Sequence, residues 1–319
     1  GSMKELCPHV EEQFHFFSRV TFDVCPDRYA PEALSEEVAG KMQVLVVVNS
    51  KRMARQLYEA MPEQEGTFHL STNLCPMHRT RVLHEIRARL KDKEPCRVIS
   101  TSLIEAGVEL TGLDSILQAA GRCNREGKRP REDSIVTVFR LEGNKMPFEL
   151  DRRGKVADSI FDRYAARLSH PDAAEAYFRE LYDISGEMAL DRKEILKLCC
   201  QKMPPLKDID QKFQLIDDRS VPVFIPFDEE ARDILKQLKE YQGAGGRTLL
   251  RHAGVYTVGV QNVPYEGRPS PFQRLFDAGV VVPLWENSTA LFVLVDMSWY
   301  DEDALGLKTD IPDGQAVVF

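Results

Sequence analysis

Two periods of hydrophobic residues run along the chain. Arg19-Val20-Thr21-Phe22-Asp23-Val24 alternates polar and apolar side chains and predicts a strand. Pro31 opens a Glu/Ala/Leu-rich stretch that predicts a helix to about Met42. Gln43 to Asn49 is a short, continuous β-branched run, the pattern of a strand covered on both faces in a parallel sheet. Ser50 is placed to cap the following helix, whose Met53, Leu57 and Met61 share one face. Phe68–Ser71 predicts another strand, and Pro76 precedes an amphipathic, Arg-rich helix over residues 78–91. A strand at Arg97–Thr101, a helix over Leu113–Cys123 and a strand at Ile135–Phe139 complete the series. Strand–helix alternation of this kind predicts an α/β fold, a RecA-like parallel sheet flanked by helices.

The pattern then changes. Val156–Leu168, Ala173–Ile184 and Asp191–Cys199 carry helical periodicity in a charged stretch, and Pro204-Pro205 breaks it. Beyond it, Val221–Ile225, Tyr256–Val260, Val280–Leu284 and Leu291–Val295 read as strands. A helix over Glu229–Tyr241 is stopped by Gly243-Ala244-Gly245-Gly246. These elements predict an α/β lobe over residues 1–145, a helical linker over 146–205 and a small α+β domain over 206–319.

Composition narrows the picture. Hydrophobic residues are 43% of 319, enough for a buried core, and no apolar run approaches the ~18 residues of a membrane span. Gly1-Ser2-Met3 has no signal-peptide character and reads as a cleavage scar ahead of an expressed piece of a longer protein. The seven cysteines form no C-x-x-C pair and have no zinc spacing, so reduced thiols of a cytoplasmic protein and no metal site are expected. A net charge of −8 counts against a dedicated nucleic-acid module but allows a local basic track, because phosphate contacts depend on local charge.

Two segments carry chemistry. In Gln118-Ala119-Ala120-Gly121-Arg122-Cys123-Asn124-Arg125-Glu126-Gly127, two arginines three residues apart on one helical face can aim two guanidinium forks at one anion. Taken alone, R-x-x-R is equally an exposed helix end. Ser100-Thr101-Ser102-Leu103-Ile104-Glu105-Ala106-Gly107-Val108-Glu109 follows a strand directly, where α/β sheets place ligand contacts. Its hydroxyls suit nucleic-acid phosphates, and they equally suit a helix cap with Glu105 completing a capping box. The Arg79, Arg81, Arg87, Arg89 set is either a phosphate track or a solvated helix face. His78 and His84 read as structural or solvent residues, and Trp285 and Trp299 as core anchors.

The order VLVVVNS, HLSTNLCPMHR, STSLIEAGVEL and QAAGRCNREG resembles motifs IV, IVa, V and VI of superfamily 2 helicases. Its wording, with WENSTALFVLVD and YDEDALGL near the C-terminus, is similar to the CRISPR type I helicase–nuclease recruited by Cascade to degrade target DNA. The resemblance covers most of the chain and identifies it with the second RecA-like lobe and a C-terminal accessory domain. It implies that Arg122 and Arg125 are arginine fingers for ATP, supported by Gln118 and Gly121. It implies that Asn49, Ser50, Ser71, Thr72, Thr101 and Ser102 meet the backbone of single-stranded DNA. Gly107 shapes motif V, and Glu109, standing where the family has an aspartate, couples nucleotide to DNA. ATP with Mg2+ is the implied cofactor of the whole enzyme. The implied partners are single-stranded DNA, the Cascade surveillance complex, the N-terminal lobe with its nuclease domain, and a phage anti-CRISPR protein. No membrane is involved.

The pattern also breaks. G-x-x-x-x-G-K-[ST] is absent, since Gly40-Lys41 and Gly127-Lys128 lack the rest of it, and Asp301-Glu302-Asp303-Ala304 has no supporting strand pattern. The chain alone is therefore expected to bind no nucleotide tightly and to hydrolyse no ATP. Between motif V and Leu113, about ten residues of the family's strand and loop are missing after Leu110. Two other classes remain open: a protein-interaction module, and an unrelated α/β nucleotide enzyme.

Overall fold

The computed structural model describes residues 8–62, 65–101, 112–142, 148–191, 193–213, 219–240, 246–264, 267–286 and 288–309. In chain order, α1 (Val10–Phe17), β1 (Thr21–Tyr29), α2 (Pro31–Ala39), β2 (Gln43–Val48), α3 (Lys51–Glu59), β3 (Thr67–Leu70), α4 (Pro76–Asp92) and β4 (Cys96–Thr101) come first. They are followed by α5 (Leu113–Ala120), β5 (Ile135–Leu141), α6 (Phe148–Tyr164), α7 (Pro171–Leu190), α8 (Ile195–Cys199) and α9 (Leu206–Lys212). The last part holds β6 (Ser220–Phe224), α10 (Glu229–Glu240), α11 (Gly246–Gly254), β7 (Thr257–Gln261), α12 (Pro271–Asp277), β8 (Val281–Pro283), β9 (Phe292–Leu294), β10 (Tyr300–Asp301) and β11 (Gly306–Leu307). The fold is α/β, with parallel sheets flanked by helices. No helix among the described residues is long and apolar enough to cross a membrane.

The chain divides into two compact units, residues 1–30 with 107–215 and residues 31–106 with 216–319. In the first, β1 and β5 pair in parallel from Thr21↔Ile135 to Tyr29↔Leu141. The register slips between Val24 and Arg28, around Pro26, which cannot donate to a ladder. Leu113 of α5, Val156 and Ile160 of α6, and Tyr177 of α7 form the core over this pair. Gly112 starts α5 because any side chain there would collide with the Asp114 carboxylate and the Tyr177 hydroxyl. Inside α7, Gly186 breaks the helix at φ 66°.

In the second unit, β2, β4 and β3 form a three-stranded parallel sheet in that order. β2 is the continuous β-branched run, and α3 packs on the sheet through Met53, Ala54 and Leu57, all almost fully buried. Val82 and Ile86 of α4 close a small core with Phe68, Leu70 and Val98. A four-stranded mixed sheet, β7-β6-β9-β8, builds the α+β part of the same unit. Its core gathers Val223, Phe224, Tyr256, Leu275 and Val281, and also takes in Cys75 from the end of the β3–α4 turn. Trp285 and Trp299 pack against this core, and the Trp285 indole N–H donates to the Leu238 carbonyl at 3.1 Å.

Two findings differ from the sequence pattern. The strands on either side of residues 102–111 belong to two separate sheets, β1–β5 and β2-β4-β3, rather than to one. Residues 102–111, which include the junction after Leu110 where a strand and loop are missing from the sequence, lie outside the described residues. The helix expected over Leu113–Cys123 stops at Ala120, and a run of turns follows.

Candidate functional site

The three parallel strands of the second unit end in step, with Val48 opposite Thr101 and Leu70 opposite Ser100. Their carboxyl ends therefore deliver Asn49 and Ser50, Ser71 and Thr72, and Thr101 to one edge of one sheet. That edge is where open α/β sheets bind ligands. Ser50 is the N-cap of α3, with its Oγ accepting from the Met53 N–H at 3.2 Å, so the cap and the motif coincide.

Not all of these side chains face outward. Ser71 is fully buried, and its Oγ accepts from the Asn73 N–H at 3.2 Å. Thr101 is buried too, and its carbonyl accepts from Ser100 Oγ at 2.7 Å. Thr72 is exposed, while Asn49 and Ser50 are half-buried. Ser71 thus builds the turn that presents Thr72 and Asn73. Ser102, Glu105, Gly107 and Glu109 lie outside the described residues.

Sequence reasoning missed the cations at this edge. Lys51, Arg52 and Arg55 follow the Ser50 cap, and Lys51 Nζ donates to Asn73 Oδ1 at 2.9 Å. Basic side chains in a first helical turn oppose the helix dipole, and α3 has no acidic residue there to offset them. That misplacement was the available signal. Two of the four arginines on α4, Arg81 and Arg89, are used internally. Arg81 pairs with Asp228 and lies 4.6 Å from the Phe227 ring centroid, and Arg89 is surrounded by Glu65, Glu85 and Glu94 at 3.6–3.9 Å.

His78 is a buried structural residue. Its Nδ1 lies 2.9 Å from the Tyr300 hydroxyl, which also accepts from the Cys75 N–H at 3.1 Å. Burial pushes His78 down to about 4, so the ring is neutral. Burial likewise raises Tyr300 far above its ordinary value. His84 is exposed. Asp301, the first residue of the Asp301-Glu302-Asp303-Ala304 run, accepts from the Asp303 and Ala304 N–H groups at 3.0 Å and forms a side-chain turn.

In the first unit, Gln118 is exposed in the last turn of α5 and Gly121 caps its end. A side chain at Gly121 would meet only ordinary contacts at 3.5 Å, so nothing inside the chain demands glycine there. The arginines do not share a helical face. Arg122 N–H bonds the Ala119 carbonyl and Cys123 N–H the Ala120 carbonyl, a tight turn that takes them off the helix. Its cause is Asn124, which is buried. Asn124 Nδ2 donates to the carbonyls of Arg19 and Arg129 at 3.0 and 2.8 Å, and its Oδ1 accepts from the Arg129 N–H at 3.3 Å. Arg19 also donates to the Arg125 carbonyl. The turn thus holds Arg122 half-buried and Arg125 exposed, on a backbone pinned from beneath. An asparagine between two arginines before a glycine was the legible sign of this turn.

No family model matches the chain. Over 153 residues, 44% of this chain, it is 26% identical to the CRISPR-associated nuclease/helicase Cas3 of Methanothermobacter thermautotrophicus. The match spans 18% of that relative's length. The helicase resemblance read from the motifs is therefore also a similarity to a curated CRISPR nuclease/helicase.

Proposed function

We propose that the chain is the second RecA-like lobe, helical linker and C-terminal accessory domain, over residues 1–145, 146–205 and 206–319, of an ATP-dependent single-stranded DNA translocase. The whole enzyme, a helicase–nuclease, would degrade foreign DNA in CRISPR type I interference in the cytoplasm. The observation that carries this reading is the edge where three parallel strands end side by side with Asn49, Ser50, Thr72 and Thr101. Phosphates of a single strand would run along it, held through backbone and hydroxyl donors without sequence readout.

The pinned turn at 121–127 suits a terminal phosphate, because Arg122 and Arg125 offer fixed donors from a rigid backbone. Gln118 and Gly121 would support them, Gly107 would shape motif V, and Glu109 would couple nucleotide to DNA. Bound ATP supplies the phosphoryl group whose hydrolysis drives translocation. Its phosphate loop and magnesium ligands would come from the first lobe, since the sequence has no G-x-x-x-x-G-K-[ST]. The chain alone is accordingly expected to be inactive.

The test is DNA-stimulated ATPase activity of the chain alone, and of the chain mixed with a separately expressed first lobe and nuclease domain. Activity is expected only in the mixture, falling by about 10³-fold or more in Arg122→Ala or Arg125→Ala. Turnover by the chain alone, or indifference to both substitutions, overturns the reading.

A second reading rests on the helices α7–α9. Tyr182, Leu196, Met203 and Leu206 are more than half exposed there, an apolar surface of the kind that meets a partner. That surface would dock the Cascade surveillance complex or a phage inhibitor, and pull-down with each separates the two readings.

A further inference from the structure

We propose that the cavity at the N-terminal turn of α3, closed by residues 305–309 of the C-terminal segment, binds a tetrahedral oxyanion, a phosphate or its analogue sulfate. The cavity is lined by Lys51, Arg52, Arg55, His69, Asn73 and Lys308, with no carboxylate among its lining residues. Its volume of about 40 Å³ holds one such ion or a few waters. Lys51 and Arg52, in the first turn of α3, stand where the helix dipole disfavours cations and welcomes an anion, and Arg55, one turn on, is ion-paired to Glu59 at 2.8 Å.

His69 points independently to a ligand. It is 3% exposed, and its Nδ1 lies 3.3 Å from the Ala304 carbonyl, which can only accept, so Nδ1 carries the proton. Nε2 is buried with no partner among the described residues. A buried polar atom left in this way is costly, and a ligand that bonds it removes that cost. Burial holds His69 down at about 4, so the ring is neutral in the empty cavity. Arg55 opposes protonation, while Glu59 and Asp301 favour it, and the Tyr58 ring packs edge-on. An anion against Nε2 reverses the balance: the ring takes a proton from solvent and donates through both nitrogens. Binding is thereby coupled to proton uptake and tightens as pH falls.

The cavity is also preformed. Leu307 N–H donates to the Asn73 carbonyl at 2.9 Å, and Gly306 at φ 71° lies so close to that carbonyl that a side chain would collide with it. Segment and turn are fixed against each other without a ligand.

Sulfate is the first probe, because its charge does not change over the pH range used. The chain labelled with ¹⁵N-histidine is titrated with sulfate by NMR at pH 6 and pH 8. A saturable shift of the His69 Nε2 signal is expected, with tighter binding at pH 6 by up to about tenfold per pH unit. Arg52→Ala and Arg55→Ala are each expected to weaken binding about tenfold with the melting point kept. His69→Gln is expected to keep weak binding and lose its pH dependence. Absence of a saturable shift, or a shift unaltered in the Arg52→Ala/Arg55→Ala double variant, overturns the site. The source of the anion is read by competition. Displacement of sulfate by a short oligothymidylate assigns the phosphate of a DNA strand. Displacement by inorganic phosphate but not by the oligomer assigns a free anion. The oligomer arm rests on the proposed function, whereas the sulfate arm does not, so the two can fail separately.

Discussion

Asn124 carries the sharpest prediction. It is 7% exposed, and its side chain bonds three backbone groups, donating to two carbonyls and accepting from one N–H. Asn124→Ala leaves the Arg19 and Arg129 carbonyls and the Arg129 N–H without these bonds. At about 1 kcal/mol per neutral bond, and more where water cannot enter, the loss is about 2–4 kcal/mol. Asn124→Asp has the same shape and is the more telling change. It keeps the acceptor for Arg129 N–H but replaces the NH2 donor with a carboxylate oxygen facing two carbonyls. The penalty should exceed that of alanine by about 1–3 kcal/mol. Arg19, Arg122, Arg125, Arg129 and Arg131 surround this turn in sequence or space, and their charge offsets part of that penalty in low salt. The order of stability is therefore Asn, then Ala, then Asp, with the gap between Ala and Asp widening as salt is raised. Thermal unfolding at low and high salt reads it directly, at about 2–4 °C per kcal/mol for a chain of this size. If Asn124→Asp melts with the natural chain, Nδ2 does not bridge Arg19 and Arg129, and the account of the turn under Arg122 and Arg125 is wrong.

Three further predictions concern the second unit. Tyr300→Phe deletes the hydroxyl shared by His78 and the Cys75 N–H, leaving two buried groups unpaired, and should cost about 2–4 kcal/mol in urea unfolding; a loss below about 0.5 kcal/mol would refute the shared bond. His69 and His78 are both held at about 4 by burial, below the 6.5 of an exposed ring. Their contribution is thus complete above about pH 6.5 and is lost as pH falls toward 4, where only the unfolded chain takes up the protons. Melting curves between pH 7 and pH 4 should fall steeply, and less so in a His69→Gln/His78→Gln variant. Ser50→Ala removes the α3 cap and should cost about 1 kcal/mol, with Ser50→Asp restoring most of it in the same melts.

The sequence foretold what is set by local chemistry. Cys96–Thr101 is buried at every position, whereas Gln43–Val48, which the β-branched run predicted to be covered on both faces, keeps Gln43 and Leu45 exposed and buries only Val46 and Val48. Ser50 is legible as a cap because a hydroxyl precedes a helical apolar face. The end of α5 was misread because the apolar period continues to Cys123 while Asn124 captures the backbone beyond Ala120, a competition no periodicity registers. Helix α12 was missed although Ser270 and Pro271 mark its start. The Ser270 Oγ accepts from the Gln273 N–H at 3.0 Å, but the helix is only 7 residues long. The inward turn of Ser71 and the cavity at Lys51 were beyond reach for another reason. Ser71 turns inward to accept from Asn73 N–H, which no hydrophobic pattern registers, and the cavity is closed by residues more than 200 positions away.

Those distant bonds bear on how the candidate edge works. His69 meets Ala304, the Cys75 backbone and His78 meet Tyr300, and Asn73 receives Leu307 across 222 to 235 residues of sequence. Apolar packing alone would let such a contact slide, whereas buried hydrogen bonds with single partners fix its register. The turn carrying Ser71, Thr72 and Asn73 is thus held on one side by β3 and on the other by residues 300–307. Any strand of nucleic acid bound along the edge would meet a surface whose geometry the C-terminal segment sets. Shortening the chain to end before Tyr300 removes all of these bonds at once while leaving β2, β3 and β4 intact. If the C-terminal segment positions the edge, that truncation weakens oligothymidylate binding far more than Thr72→Ala does, and the reverse order would assign the contact to the hydroxyls alone.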